Sequence, residues 1–322
     1  MIAMVIFAAG VARASLPLLL VVSKGDTALV IVDPDTGKIM GKVATGEGPH
    51  EVEASADGKL AFVSNYGAKA PGSSVSVIDI AAQKEVRRVE IGPASMPHGL
   101  LMAGGKLYFT AQRFKLIGRY DPAGNQIDWL MGTAQNRTHM IVATKDLKQF
   151  FTANIGSDTI TAITATDRSG DRPDWNVTQI PVGKGPEGID ISPDGKEVWT
   201  ATWGDGGVSI IDVATRKVTQ TLSLGAKRSN RLKFTPDGKR VLVSDLREDQ
   251  VFVLDAAARK EIKRVKVGGP SAGILMAPDG SRAYAAVTPD NRLAVIDLKT
   301  LEVTGHINGI VGADGMTWAP RK

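Results

Sequence analysis

Gly185-Pro186-Glu187-Gly188-Ile189, then Pro193-Asp194-Gly195-Lys196, then Val198-Trp199-Thr200-Ala201, then Val208-Ser209-Ile210-Ile211-Asp212: this stretch decides the fold. It holds two short apolar runs and an Asp-Gly turn, and it recurs along the whole chain. Its opening positions are His50, His98, His139, Glu187, Asn230, Ala272 and Asp314, spaced 41 to 48 residues apart. At a constant offset follow Val52, Leu100, Ile141, Ile189, Leu232, Ile274 and Met316. A period near 40 with short strands and tight turns is the pattern of a β-propeller, in which each repeat is one small sheet.

Outward from that copy, the turn appears as Asp57-Gly58, Asp194-Gly195, Asp237-Gly238 and Asp279-Gly280, and it decays to Gly104-Gly105 and Asp146-Leu147. Asp-Gly between apolar runs is a hairpin signal because both residues tolerate positive φ. A strand ending in Asp recurs as Val30-Ile31-Val32-Asp33, Val77-Ile78-Asp79, Val253-Leu254-Asp255 and Val295-Ile296-Asp297. Each unit closes with a polar strand such as Glu85-Val86-Arg87-Arg88-Val89. The chain starts inside a unit. Leu18 to Ser23, Leu29 to Asp33 and Ile39 to Val43 supply three of four strands, and the missing innermost one is expected at Asp314 to Ala319. Pairing the two ends removes the last open sheet edges. The expectation is an all-β, seven-bladed propeller of four-stranded antiparallel blades, one domain over residues 15–322.

Composition narrows the chemistry. The chain has 322 residues, no cysteine and a formal net charge of +5. Without cysteine there is no disulfide, thiolate metal site or cysteine nucleophile. Lys and Arg are scattered on outer strands and turns, and no basic run with interleaved aromatics suggests nucleic acid. Met1 to Val11 is apolar, and Ala12-Arg13-Ala14 fits a cleavage pattern just before the first strand. Residues 1–14 therefore read as a signal peptide, too short to span a bilayer. That places the mature protein in the periplasm or outside the cell, with no membrane span, and as a monomer.

Sorting residues by repeat position turns scattered side chains into rings. His50, His98, His139, Glu187, Asn230, Ala272 and Asp314 share one slot at a channel mouth. Three of the four histidines occupy it on consecutive blades, with a carboxylate next. Converging imidazoles and one carboxylate suit a divalent transition metal such as Zn, Cu, Fe or Ni, with His50, His98, His139 and Glu187 as ligands. A metal-free polar ligand site and a plain polar channel explain the same ring. Loops at that mouth add Asn65, Tyr66, Gln112, Arg113, Asn154, Trp203 and Asp245, with Arg231 and Arg247 beside them. Arginine forks favour carboxylate or phosphate, and aromatics supply a stacking wall. The ligand expected is a small molecule with anionic groups, or another exported protein.

The repeated Pro-Asp-Gly-Lys, the run ending in Thr-Asn or Ser-Asn, and Val-Ile-Asp resemble the bacterial YVTN-repeat, YncE-like propellers, with Phe62-Val63-Ser64-Asn65 as the nearest copy of the tetrapeptide. The resemblance runs from about Leu16 to Pro320 and implies an exported seven-bladed propeller. Pro49-His50 through Asn65-Tyr66-Gly67 is also similar to lactonase-type propellers, whose site of His, Glu and two Arg implies catalytic roles for His139 and Glu187. Three readings stand side by side. The first is an exported binding propeller without chemistry. The second is a metal-dependent hydrolase, lyase or oxidase. The third is a metal-free lactonase-like enzyme using His139 and Glu187 as acid and base.

Overall fold

A computed structural model describes residues 15–166 and 174–321. The expected cleavage after Ala14 falls outside the described residues. Seven four-stranded antiparallel sheets form the protein, and in the first sheet the strand Ala313–Ala319 pairs with Leu18–Ser23. Leu18 faces Ala319 and Val21 faces Met316, so the ring is closed by its own two ends. Within each blade we letter the strands A to D from the channel outward. Blade 1 carries the joined ends. The A strands of blades 2 to 7 are Pro49–Ala54, Pro97–Ala103, Thr138–Ala143, Pro186–Ile191, Ser229–Phe234 and Ser271–Met276.

The B and C strands are continuous runs of Val, Ile, Leu, Phe and Ala, such as Leu29-Val30-Ile31-Val32, and are buried on both faces. Such runs suit strands sandwiched between neighbours rather than half-exposed ones. Their side chains interlock between blades: Leu242, Val251 and Val253 of blade 6 pack on Ile274, Ala283 and Ala285 of blade 7. The D strands alternate, for example Lys260–Lys266, with every second residue exposed.

The turn joining A to B works differently from the two-residue hairpin expected. Only the glycine is left-handed, at φ 68° for Gly58, 75° for Gly195 and 72° for Gly238. The aspartate instead accepts hydrogen bonds: Asp194 Oδ1 takes the Lys196 N–H at 3.1 Å and the Ser192 hydroxyl at 2.6 Å. The decayed Asp146-Leu147 keeps this turn, with Leu147 held at φ 56°. Only Gly104-Gly105 forms the two-residue hairpin with both residues at positive φ.

One device recurs in every blade and positions the mouth. The A–B register shifts at the start of A, between Pro49 and Val52, Pro97 and Leu100, Pro186 and Ile189, and likewise elsewhere. A bulge of this kind re-aims side chains. It turns the ring residue and the residue after it towards the axis.

Candidate functional site

The ring forms a cup of 260 Å³ at one end of the channel. Its wall includes His50, His98, His139, Glu187, Asn230, Arg231 and Asp314, with Lys24 and Arg137 from loops, Tyr66 from the end of the strand Leu60–Gly67, and Leu246 and Ala272. Larger grooves of 610 and 580 Å³ lie on the opposite face between Asp-Gly turns.

Backbone and B-strand hydroxyls hold this wall. Thr110 Oγ1 accepts the Gly99 N–H at 2.9 Å and donates to the His139 carbonyl at 2.7 Å. Ser244 accepts the Arg231 N–H at 3.0 Å and donates to the Ala272 carbonyl at 2.7 Å. The Ser/Thr of the repeated tetrapeptide thus ties one blade's bulge to the next blade's ring residue. Close approach is enforced by glycine. A Cβ on Gly188 would lie 2.4 Å from the Asn230 carbonyl oxygen, and one on Gly99 2.6 Å from that of His139.

The imidazoles are arranged in sequence around the cup. His50 stands 4.6 Å from Tyr66 and 5.0 Å from His98, ring centre to ring centre. His98 and His139 stack at 3.6 Å with a tilt of 34°. His139 Nε2 lies 3.7 Å from Glu187 Oε1, and Glu187 lies 3.5 Å from Arg231 Nη1. Asn230 donates its amide to both Glu187 oxygens at 2.7 and 3.2 Å, in the orientation its neighbours demand. Lys24 pairs with Asp314 at 3.1 Å.

The expected metal set of His50, His98, His139 and Glu187 takes this arrangement in the cup. Stacked rings present faces to one another rather than converging lone pairs. Among the described residues no group of three or more His, Asp or Glu is arranged to hold a metal ion. The three imidazoles differ in their bonds. His50 Nδ1 donates to the Gly48 carbonyl at 2.8 Å, which leaves Nε2 as the acceptor nitrogen. The Nδ1 atoms of His98 and His139, and Nε2 of His139, are buried without a hydrogen-bond partner.

Burial decides the charges. Desolvation, reinforced by Lys24, lowers the pKa of His50 to about 4. Desolvation also lowers His98 and His139, so the three rings are neutral near pH 7. Burial opposes ionisation of Glu187, but contact with His139 and the charges of Arg231 and Arg228 outweigh it and hold Glu187 at about 2. Asp314 is likewise held ionised against its burial by Lys24 and Arg231.

Other expected site residues serve the scaffold. Asn65 accepts the Gly46 N–H and donates to Ser74 and Ser76, each at 3.0 Å. Asn154 donates to Thr161 at 2.8 Å. Asp245 caps two loops by accepting the N–H groups of Lys227, Arg228, Arg247 and Glu248. None of the three lines the cup. Strand register also moves one alignment. Pro97 faces Ala111, so Gln112 rather than Arg113 shares the slot of Tyr66 and Trp203. Gln112 is buried with both amide atoms unpartnered, and Arg113 is exposed. Trp203 lies under the Arg228 guanidinium at 4.0 Å. Arg247 is exposed and lies outside the cup wall.

Glu51 escaped the sequence reading, and Arg231 was expected only among the residues beside the mouth. Glu51 follows the ring residue of blade 2, Arg231 that of blade 6, and the two meet across the channel at 2.5 Å. Glycines 99, 188, 273 and 315 hold that slot in four other blades and leave room for this strut. It forms the floor of the cup. Below it, Lys233 pairs with Asp190 at 3.2 Å, and burial raises Glu53 to about 8. The alternation of glycine with Glu51, Met140 and Arg231 was the available signal.

The family description for the cytochrome D1 heme domain matches residues 130–279, which is 150 of 322 residues and less than half of the chain. No curated protein matches. Among solved structures, hydrazine synthase from Kuenenia stuttgartiensis is similar with a TM-score of 0.74 at 20% identity, covering 91% of this chain and 99% of that one. Dihydro-heme d1 dehydrogenase NirN in complex with DHE gives 0.67 at 16% identity, covering 91% of this chain and 64% of that one. A candidate 6-phosphogluconolactonase from Bacteroides uniformis gives 0.76 at 15%, covering 94% and 99%. These likenesses show a shared propeller fold.

Proposed function

We propose that the protein is an exported binding propeller whose cup takes an anionic, flat, conjugated small molecule, and that this ligand is a haem of the d1 type. The observation that carries the reading is His50. Its Nδ1 proton is spent on the Gly48 carbonyl, its Nε2 is left as a lone-pair donor at the mouth, and its low pKa keeps it neutral. Metal-binding histidines have this second bond, which fixes the tautomer and orients the ring. The orphaned ring nitrogens of His98 and His139 are further polar atoms awaiting a partner. The partial match to the cytochrome D1 heme domain supports the identity of the ligand.

In this assignment His50 would hold the iron, Tyr66 would offer an aromatic face to the ligand, and Arg137 would meet its carboxylates. A bound haem would supply an iron centre for electron transfer. The chain's own part is to hold three neutral imidazoles and the ionised Glu187 and Asp314 in fixed order. Acid–base catalysis of the lactonase kind is less well supported. A carboxylate held at about 2 is a weak base, and an efficient general base titrates near the working pH. Export rests on the Ala12-Arg13-Ala14 pattern. Among the described residues no helix is long and apolar enough to cross a membrane.

Titration of the mature protein with haemin, followed by the Soret band, tests the binding. Saturation at one equivalent is expected, with loss of the ligation spectrum in His50→Ala. Free-base uroporphyrin, which has carboxylates and no iron, should still bind His50→Ala and should weaken in Arg137→Gln. If neither compound binds the wild type, the assignment is wrong. N-terminal sequencing of the exported protein should begin at Ser15, and an intact Met1 in a cytoplasmic pool overturns export.

A further inference from the structure

The cup explains Arg137 and Arg231, but four other cations on the same face do not line it. They are Arg113 and Lys115 on blade 3, Lys184 between blades 4 and 5, and Lys227 between blades 5 and 6. All four are exposed. Elsewhere some basic side chains are paired, Arg88 with Glu85 and Arg264 with Glu261 on their own strands, Arg259 with Glu197, Arg321 with Asp33, while others such as Lys38, Lys84, Lys217 and Lys260 form no ion pair among the described residues. Among the described residues none of these four forms an ion pair. The acids in their sector are engaged by backbone. Asp158 accepts the Gly185 N–H at 2.8 Å, and Asp205 accepts the Lys184 N–H. These carboxylates and Asp245, which accepts the Lys227 N–H at 2.8 Å, keep their charge beside the backbone, and the four exposed cations form a crescent around one side of the mouth without direct ion pairs.

A large apolar side chain sits at one end of it. Phe114 stands between Arg113 and Lys115 and is 43% exposed. It lies over Gly92, at φ 131°, where an added Cβ would come within 3.0 Å of the ring. An exposed aromatic seated against backbone and flanked by cations has the composition of a binding hot spot, where Arg and aromatics are enriched.

We propose that this crescent docks an acidic protein surface, with Phe114 as the apolar anchor, so that the partner sits over the mouth. Charge complementarity steers and orients such a complex, and one buried aromatic supplies much of its lifetime. A small ligand in the cup has no need of Arg113, Lys115, Lys184 or Lys227, so the proposal stands apart from the identity of that ligand.

The test uses the full mature chain and two polymers, poly-L-glutamate and a glutamate–tyrosine copolymer, in low salt. Both should bind, the copolymer more tightly, and binding should weaken as salt rises. Replacing Arg113, Lys115, Lys184 and Lys227 together by glutamine should weaken both by about tenfold or more. A control replacing Lys38, Lys84, Lys217 and Lys260, on the opposite face, removes the same charge and should have little effect. Phe114→Ala should abolish the copolymer's advantage and leave poly-L-glutamate unchanged. Equal loss in the control means that net charge alone acts, and overturns the proposal. So does a crescent variant that loses binding to duplex DNA or phosphatidylglycerol vesicles while keeping the copolymer, because the crescent then serves phosphate.

Discussion

Individual residues in the channel set how stability responds to pH. His50, His98 and His139 have folded-state pKa values below the ordinary 6.5, through burial. The unfolded chain therefore binds protons that the folded one refuses. Their stabilising effect is complete above pH 6.5 and is lost as pH falls towards about 4, the value for His50, by up to about 1.4 kcal/mol per pH unit for each ring. Denaturant unfolding of wild type and His50→Asn across pH 4–7 should show the shallower slope in the variant, and parallel curves would contradict it. Glu53 acts in the opposite sense. Its pKa, raised to about 8 by burial, makes folding less favourable as pH rises from 4.5 to 8. Glu53→Gln should thus gain stability relative to wild type progressively over that window, and a constant offset between them would show that Glu53 is not titrating there. A turn position offers a third check. Gly37 takes φ 70° at its C–D corner, where Arg216 is held at φ 56° in blade 5. Left-handed backbone strains a non-glycine residue by about 1–2 kcal/mol, more than glycine's entropic penalty of about 0.4–1 kcal/mol. Arg216→Gly should raise the melting temperature slightly.

Strands show why the mouth was only half legible. Repeat position put His50, His98, His139 and Glu187 into one ring because equivalent strands are related by rotation about the channel. It could not reveal the bulge that opens every A strand, since a bulge is defined by two strands and not by one. The bulge brings the residue after the ring residue to the axis, and so the Glu51–Arg231 strut went unseen. It also left imidazole orientation undetermined. Stacking of His98 on His139 depends on side-chain torsions that no spacing encodes. Asn65, Asn154 and Asp245 looked like mouth residues because strand ends lie near the mouth, yet Asn65 and Asp245 accept loop N–H groups and Asn154 donates to the Thr159 carbonyl and the Thr161 hydroxyl. Blade spacing gives a prediction at this scale. In Gly188→Ala a Cβ must enter space 2.4 Å from a backbone oxygen that cannot rotate away, so about 2–4 kcal/mol of stability should be lost. Gly305→Ala, on a D strand with nothing within 4 Å, should be neutral or better. Equal effects in the two would mean that the channel packing is not tight.

For the whole molecule, the decisive feature was the easiest to read, because counting strands leaves one blade short by one and the other end of the chain supplies it. Residues Ala313–Ala319 are covalently remote from Leu18–Ser23 but form the innermost strand of their blade. The joint is more than backbone pairing. Arg321 donates to the Leu16 carbonyl at 2.6 Å and pairs with Asp33, while Ser23 donates to the Val311 carbonyl at 2.9 Å. Removing residues 313–322 would strip cover from Leu19, Leu20 and Val21, all wholly buried, and would leave the edge of Leu18–Ser23 unpaired. It would also delete Asp314 and leave Lys24 without its partner at the cup. Burial of each such side chain is worth about 1.5–3 kcal/mol, and a domain's net stability is only about 5–15 kcal/mol, so the truncated chain should lose cooperative unfolding rather than fray. Adding the peptide 313–322 in trans should restore part of the transition, since the vacant place between the blades recognises that strand. A truncated protein that melts at the wild-type temperature would show that the ring does not depend on its closing strand.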